Sequence, residues 1–228
     1  MKTKPIRIIG FGGFGCSIIT RLSRSADRPE CAMLLAADTD VKALEEVEAD
    51  EKIQLGEIVV TGYSTFGDRH RGRFAYLESF RRMNFEMKGA QALILTAGFG
   101  GGAGTGAIAA AAEEAKRLGI PALCIVTVPM EQDGNHTSTK VSKGLSELSD
   151  QADIILIIPS KPQARIASGE PMAREQYDKM NETAYHAIQA AARIFSCDKK
   201  TVDPTTLKIA LGGFGELRIR GDQGIHSV

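Results

Sequence analysis

The chain has 228 residues, of which 43% are hydrophobic and 25% charged, a composition typical of a globular protein with enough apolar material for a full core. Its 28 basic and 28 acidic residues balance, so the charge does not indicate nucleic acid or an anionic surface as an obligatory partner. The longest apolar runs, such as Ala152–Pro159, are too short to cross a bilayer. The first residues of the sequence contain no apolar stretch of signal-peptide length.

Six near-continuous aliphatic runs predict buried strands. In chain order they are IRIIGF near Ile6, Ala32–Asp38, Ala92–Ala97, Ala122–Val128, Asp153–Pro159 and Leu207–Gly212. Such runs do not alternate between apolar and polar residues, as expected when helices cover both faces of a parallel sheet.

Helical patterns lie between these runs. They cover roughly Gly15–Ser25, Val41–Glu48, Arg69–Met87, Thr105–Leu118, Ser138–Ser149 and Ala173–Phe195. The alternation predicts an α/β fold with a doubly wound, mainly parallel sheet and helices on both faces. Ligands bind at the carboxyl ends of the strands in such sheets, so the loops that follow the strands are where function is expected.

Cysteine usage indicates the compartment. Cys16, Cys31, Cys124 and Cys197 form no CxxC pair and have no metal-ligand spacing. We therefore expect neutral thiols in a reducing compartment, place the protein in the cytoplasm, and expect no metal held by the protein alone.

The first glycine loop is GFGGFG, from Gly10 to Gly15, after the first strand and before the first helix. With Asp38 at the end of the second strand, it has the outline of a dinucleotide fingerprint, in which the acid binds a ribose hydroxyl. Glycines that only let a helix pack close to a strand are the structural alternative.

The second glycine loop follows the third predicted strand, and a single NAD(P) site would not need it. GFGGGAGTG, from Gly98 to Gly106, exposes many backbone N–H groups at the positive end of the next helix. That arrangement suits a polyphosphate, and the absence of GxxxxGK[ST] excludes a Walker-type site.

At Gly100–Gly106, GGGAGTG resembles the GGGTGTG phosphate loop of the tubulin/FtsZ superfamily. Five further segments are similar to FtsZ in the same order. They are IRIIGFGGFGCSIITRL for the first loop, LLAADTDVKAL for AxNTDxxxL, GIPALCIVTVPMEQDGN for a strand and its loop, YDKMNETAYHAI for the central helix, and TVDPTTL for the synergy loop N-x-D-x-x-D. The resemblance implies a tubulin/FtsZ-type GTPase domain that binds GTP or GDP, with Mg²⁺ as a further expectation.

Carried over by position, the resemblance implies a set of nucleotide contacts. Glu182 and Asn181 are expected at the guanine edge, since a carboxylate suits the adjacent N1–H and N2–H donors, and Asp133 at the ribose. The remaining implied contacts are Gly12, Gly13, Gly15, Cys16, Ser17, Gly101, Gly102, Ala103, Gly104, Thr105 and Gly106.

Several positions depart from the family pattern. Ser17 replaces an asparagine, Ala103 removes a threonine hydroxyl, and Thr137 stands where an arginine is expected. Arg69 or Arg71 is a candidate replacement for that charge. In the synergy loop Asp203 remains as the expected catalytic acid, while the second aspartate is Thr206, so we expect slow or conditional GTP hydrolysis.

The resemblance assigns residues 1–200 to the GTP-binding domain and 201–228 to a degenerate synergy-loop region and terminal strand, without the usual second domain. Whether the chain is naturally this short or a fragment stays open. We expect a cytoskeletal or cell-division-like GTPase that self-associates as a dimer or filament and does not bind nucleic acid. The alternatives are a nucleotide-gated switch or adaptor, with a membrane-associated protein as its partner, and an NAD(P)-binding protein.

Overall fold

The computed structural model describes residues 6–30, 32–128, 135–159, 174–196 and 204–220. These residues form one seven-stranded sheet in the order β3-β2-β1-β4-β5-β6-β7. Its strands are β1 (Ile6–Phe11), β2 (Ala32–Asp38), β3 (Glu51–Gln54), β4 (Leu93–Gly98), β5 (Ala122–Val128), β6 (Ile154–Pro159) and β7 (Glu216–Ile219). All neighbouring pairs are parallel except β6 and β7, which run antiparallel.

Eight helices connect or flank these strands in the described part of the chain. They are α1 (Gly12–Arg24), α2 (Val41–Glu45), α3 (Arg69–Glu78), α4 (Phe80–Met87), α5 (Ala103–Leu118), α6 (Asn135–Gln151), α7 (Arg174–Ser196) and α8 (Pro204–Leu211). Within these residues no helix is both long enough and apolar enough to pass through a bilayer.

Two apolar cores lie on opposite faces of the sheet. Neighbouring residues of β1 show the division, because Ile9 packs with the core under α3–α6 and Ile8 packs with the core under α1, α7 and α8. The five central strands β1, β2, β4, β5 and β6 therefore bury both of their faces, which explains why the aliphatic runs show no polar alternation. The predicted doubly wound, mainly parallel α/β fold is confirmed.

One predicted strand is wrong. The run Leu207–Gly212 lies almost entirely in α8, which begins at Pro204, a residue favoured at the first helical position. Leu207 and Leu211 are fully buried four residues apart, whereas Ile209 between them is exposed, so the apolar positions follow a helical and not an extended period. The last strand is β7, a few residues later, at the edge of the sheet.

Strand order places the two glycine loops side by side. β1 lies between β2 and β4, so the chain reverses its direction of winding at the β1–β4 pair. The loops that follow β1 and β4 are the two glycine loops, and parallel pairing brings both to the same edge of the sheet. This switch point is where ligands bind in doubly wound sheets.

Candidate functional site

A cavity of about 410 Å³ opens at this switch point. Both glycine loops line it, through Gly12 and Gly13 after β1 and through Gly101, Gly102, Ala103 and Gly104 after β4. Other walls come from the end of β2, the β3–α3 loop and α7. The residues they contribute include Asp38, Asp40, Ser64, Thr65, Gly67, Tyr177 and Met180.

The two loops touch each other. Gly12 has φ +69°, and a Cβ built on it would lie 2.8 Å from the backbone nitrogen of Gly104. Gly13 and Gly101 differ, because a Cβ on either would meet no protein atom within 4 Å. Packing and backbone conformation therefore explain Gly12, whereas the open faces of Gly13 and Gly101 leave room beside the backbone for a ligand in the cavity.

Helices α1 and α5 both begin at the cavity wall without a capping side chain. Neither N-cap residue, Phe11 or Gly102, makes a side-chain hydrogen bond to its helix, and neither first turn carries an acidic residue. By contrast, α2 and α3 are capped by Asp40 and Asp68, whose carboxylates accept backbone N–H bonds. Two uncapped helix N-termini therefore point their positive ends and first N–H groups to one cavity.

Charged side chains of the lining are acidic. Asp38 and Asp40 line the cavity, and none of its described lining residues is Lys or Arg. Asp38 is buried, and its Oδ1 accepts the backbone N–H of Thr39 at 2.7 Å. Burial raises the pKa of Asp38, an effect that exceeds the opposing effect of these backbone hydrogen bonds, and the charge of Asp40 adds to the increase.

Aromatic side chains close the end of the cavity next to α7. The rings of Phe14 and Tyr177 meet edge to face, with their centroids 5.9 Å apart. The hydroxyl of Ser17 lies 3.2 Å from the Tyr177 hydroxyl and 3.1 Å from Oδ1 of Asn181. The structure thus brings together two predicted site residues, Ser17 and Asn181, near the Tyr177 hydroxyl, although neither is among the residues that line the cavity.

Four other predicted contact residues lie in α1 and α5 and are packed against neighbouring parts of the protein. A Cβ on Gly15 would lie 2.6 Å from the carbonyl oxygen of Thr96, and one on Gly106 would strike the backbone of α3. The thiol of Cys16 is buried, which raises its pKa, and the Thr105 hydroxyl donates to the Gly101 carbonyl at 2.7 Å. None of these four residues is among those that line the cavity, so their predicted contacts with a ligand remain predictions.

Glu182 is not among the residues that line the cavity. Its carboxylate is exposed and lies 3.9 Å from Nε2 of His186, and the residue lines a separate cavity beside the α8–β7 loop. Helix α7 turns by about 100° per residue, so Tyr177, Met180 and Asn181 share the face next to the cavity while Glu182 does not. The guanine contact predicted for Glu182 remains a prediction that this arrangement does not support.

Other predicted contacts lie elsewhere or outside the described residues. Asp133 and Asp203 are outside them, so their roles as ribose contact and catalytic acid stay predictions. Arg69 is mostly buried and its guanidinium pairs with Glu147 of α6, away from the cavity lining. Among the described residues, no group of three or more His, Cys, Asp and Glu side chains is placed to hold a metal ion.

Sequence reasoning missed part of the lining. Tyr177 could have been predicted from the sequence, because it stands one helical turn before Asn181 and therefore lies on the same face of the helix. Phe14 lies inside the first glycine loop, where only the glycines were considered. Thr65 and Gly67 belong to the β3–α3 loop, which carries no residue pattern that predicts contact with the cavity.

The GTPase domain of the tubulin/FtsZ family matches residues 5–167, a span that contains both glycine loops and the walls from β2 and the β3–α3 loop. The chain belongs to the tubulin/FtsZ family. The central helix α7 and its Tyr177 follow the matched span, so their place in the site rests on the structure.

Curated relatives support the assignment. The chain is 29% identical over 191 residues to the cell division protein FtsZ of Buchnera aphidicola, which covers 84% of this chain and 49% of that protein. It is 32% identical over 167 residues to cell division protein FtsZ 1 of Thermococcus kodakarensis, covering 73% of this chain and 44% of that protein. The chain thus spans about half the length of the curated relatives it matches.

Solved structures show the same fold. An FtsZ dimer of M. jannaschii, solved empty, superposes with a TM-score of 0.78 at 27% identity, covering 91% of this chain and 60% of that one. CetZ2 of Haloferax volcanii, solved as a GTPγS-bound protofilament, gives a TM-score of 0.70 at 22% identity, covering 89% of this chain and 61% of that one. The second likeness is one of fold alone.

Proposed function

We propose that this chain is an FtsZ-like guanine-nucleotide-binding domain whose cavity at the β1–β4 switch point holds GTP or GDP. The observation that carries the proposal is the convergence of two uncapped helix N-termini on one cavity. Helix N-termini of this kind are well suited to bind phosphate groups. Two such N-termini at one cavity suit a polyphosphate better than a ligand with a single negative charge. The base would lie at the other end, beside Tyr177 and Asn181.

The alternative, an NAD(P) site, uses only Gly10–Gly15 and Asp38. In that loop Gly10 and Gly15 contact each other closely, so strand–helix packing explains both without a ligand. The second loop supplies six residues of the cavity lining, which the NAD(P) interpretation leaves without a role. The geometry therefore favours a nucleotide whose phosphates contact both loops.

A divalent cation fits the chemistry of the lining. A triphosphate beside Asp38 and Asp40 would meet two carboxylates and no cationic side chain from the described lining. Carboxylate and hydroxyl oxygens are ligands that Mg²⁺ accepts, and Asp40, Ser64 and Thr65 are candidates to hold it together with the phosphates. When bound, the ion would supply the positive charge that balances the phosphates.

We propose that hydrolysis is slow. Asp203 is one of two carboxylates expected to activate water, and Thr206 stands in place of the other. Thr206 is exposed in the first turn of α8, so a side chain at this position is accessible to a neighbouring molecule. A neighbouring copy would have to bring this loop to the nucleotide, which ties turnover to self-association.

Self-association at the cavity mouth is the second part of the proposal. Tyr63 and Phe66 are exposed on the β3–α3 loop, directly beside the lining residues Ser64, Thr65 and Gly67. Phe66 has φ +52°, a left-handed conformation that costs free energy in a residue with a Cβ. An exposed aromatic ring held in this way, next to the phosphate end of the cavity, suits a contact between copies that depends on the bound nucleotide.

The proposed activity fits a cytoplasmic, cell-division-like assembly process. Two relatives support this, because one is a cell division protein and the other is an FtsZ solved as a dimer. A nucleotide-gated switch that binds a membrane-associated protein without forming filaments is the competing proposal.

Competition for a fluorescent GDP analogue tests the first part. GTP and GDP should displace the analogue, whereas ATP and NADH should not, and displacement by NADH alone would establish the NAD(P) alternative. Sedimentation with GTP against GDP tests the second part. GTP-dependent growth in sedimenting mass supports assembly, and an unchanged monomer in both nucleotides supports the switch.

A further inference from the structure

Large apolar side chains are exposed on one part of the molecule. Of the eight exposed large hydrophobic residues in the described chain, seven lie between residues 58 and 85, and the eighth is Ile209 on α8. Two of the seven flank the cavity mouth. The other five do not line the cavity. They lie in the turn after β3 and on the outer face of α3 and α4, and they are Ile58, Val59, Phe74, Leu77 and Phe85.

Helices α3 and α4 form one continuous outer face. The N–H of Ser79 between them bonds the Ala75 carbonyl and its carbonyl accepts from Met83, so helical hydrogen bonding continues through the junction. Residues three or four apart along this face are all exposed, and we call them the outer stripe. They are Arg71, Phe74, Leu77, Arg81, Phe85 and Lys88.

The cations of the outer stripe differ from the other arginines of these helices. Arg69, Arg73 and Arg82 pair with the carboxylates of Glu147, Glu113 and Glu86, respectively. In the described part of the chain no ion pair involves Arg71, Arg81 or Lys88. The stripe therefore carries three cations without an ion pair among the described residues, although the charge of Lys88 also acts on the Glu114 carboxylate.

The turn after β3 widens the apolar surface beside the stripe. Both carboxylate oxygens of Glu78 accept backbone bonds from this turn, from Ile58 N–H at 2.8 Å and Val59 N–H at 2.9 Å. These bonds tie the backbone of the turn, which carries the two exposed aliphatic side chains, to the end of α3, while Glu78 keeps its negative charge. Glu57 is the other exposed acid beside the stripe, so the three cations of the stripe exceed these two acids by one positive charge.

We propose that the outer stripe, with Ile58 and Val59, is a docking surface for an anionic lipid bilayer. Its apolar side chains would enter the interface while the interspersed Arg and Lys side chains reach lipid phosphates, the composition of helices that lie on membrane surfaces. Charge disfavours a second copy as the occupant, because a symmetric contact brings two copies of the same net-positive surface together. A protein partner would favour an apolar centre with a charged rim, whereas here cations lie among the apolar residues along the whole stripe.

Co-sedimentation with vesicles tests this proposal, using phosphatidylglycerol mixed with phosphatidylcholine and, in parallel, phosphatidylcholine alone. We expect binding to the anionic vesicles only, weakened when the salt concentration is raised because screening shortens the range of the attraction. Ile58→Ser or Phe74→Ser should weaken binding about tenfold, and Arg81→Gln about fivefold.

Ile209→Ser is the matched control, since Ile209 is 81% exposed and Ile58 is 80% exposed. It should leave vesicle binding within about twofold of the wild type. All four variants change exposed residues outside the cavity lining, so the urea unfolding midpoint and the affinity for guanine nucleotide should stay unchanged.

Two results would overturn the proposal. One is vesicle binding that is absent, or that Ile209→Ser reduces as much as Ile58→Ser does. The other is a change in sedimentation coefficient without vesicles on Phe74→Ser, which would assign the stripe to a contact between copies. Neither result depends on whether the cavity binds GTP.

Discussion

Adding a side chain at Gly15 should lower the stability of the fold, whereas adding one at Gly101 should change ligand binding and leave the fold intact. Gly15 lies where α1 crosses the sheet, and a Cβ there would be 2.6 Å from the Thr96 carbonyl oxygen and 2.7 Å from the carbonyl carbon of Gly10. Gly101 lines the cavity, has no protein atom within 4 Å of a built Cβ, and does not need a left-handed backbone. Gly15→Ala therefore tests packing, and substitutions at Gly101 test the ligand.

The structure sets the expected magnitudes. Gly15→Ala places a methyl group against backbone atoms that cannot rotate away, so we expect the free energy of unfolding to fall by about 1–3 kcal/mol. For a chain of this size each kcal/mol corresponds to a Tm about 2–4 °C lower. Gly101→Ala should leave the free energy of unfolding unchanged or raise it by about 0.4–1 kcal/mol, because it restricts the unfolded chain.

Gly101→Asp adds a charge to the proposed phosphate site. A carboxylate about 4 Å from a phosphate charge costs roughly 1 kcal/mol at the dielectric constant of water and about 4 kcal/mol at that of a protein surface. The affinity for GDP should therefore fall between about fivefold and several hundredfold. Gly104 is unsuitable for this test, since a Cβ there would lie 2.9 Å from the Phe11 carbonyl oxygen and disturb the fold as well.

The measurements are urea unfolding followed by circular dichroism and titration of a fluorescent GDP analogue. Gly101→Asp should unfold at the wild-type urea concentration and bind the analogue weakly, while Gly101→Ala keeps most of the affinity. The reasoning is refuted if folded Gly101→Asp binds the analogue within twofold of the wild type. It is equally refuted if Gly15→Ala is as stable as the wild type.

Three further predictions follow from the site. Tyr177→Ala should weaken GDP binding by about 1–3 kcal/mol through lost stacking on the base, and Tyr177→Phe should restore most of it in the same titration. Asp38→Asn should raise the free energy of unfolding at neutral pH but not in acid. Because the pKa of Asp38 is raised in the folded state, the native protein keeps a proton that the unfolded chain has already released. The free energy of unfolding of the wild type therefore falls as pH rises from the ordinary carboxyl range through the folded-state pKa. Urea unfolding at a series of pH values measures this decrease. Thr206→Asp should increase the rate of phosphate release at least tenfold in GTP by returning a second carboxylate, and adding Asp203→Ala should abolish the gain.

The aliphatic runs alone determined five of the seven strands, because a strand buried on both faces must be apolar throughout. The loops that carry the proposed site were also predictable, since glycine clusters at two strand–helix junctions have few explanations other than close backbone approach. The run at Leu207 misled for the same reason, because a short apolar segment does not distinguish a buried strand from a buried helix. Glu51–Gln54 was missed because only Ile53 of this edge strand is buried.

Only the tertiary structure separated glycines that look alike in the sequence. Gly13 and Gly15 stand two residues apart in one loop, yet one faces an open cavity and the other faces the backbone of β4. This difference depends on the pairing of β1 with β4, whose partner residues, such as Gly10 and Thr96, are 86 positions apart. The hydrogen bond between Ser17 and Asn181 joins positions 164 residues apart, and helical phase on α7 turns Glu182 away from the cavity. Residue type and spacing determine local conformation and burial, whereas the direction in which a side chain points into a shared cavity is set by long-range packing.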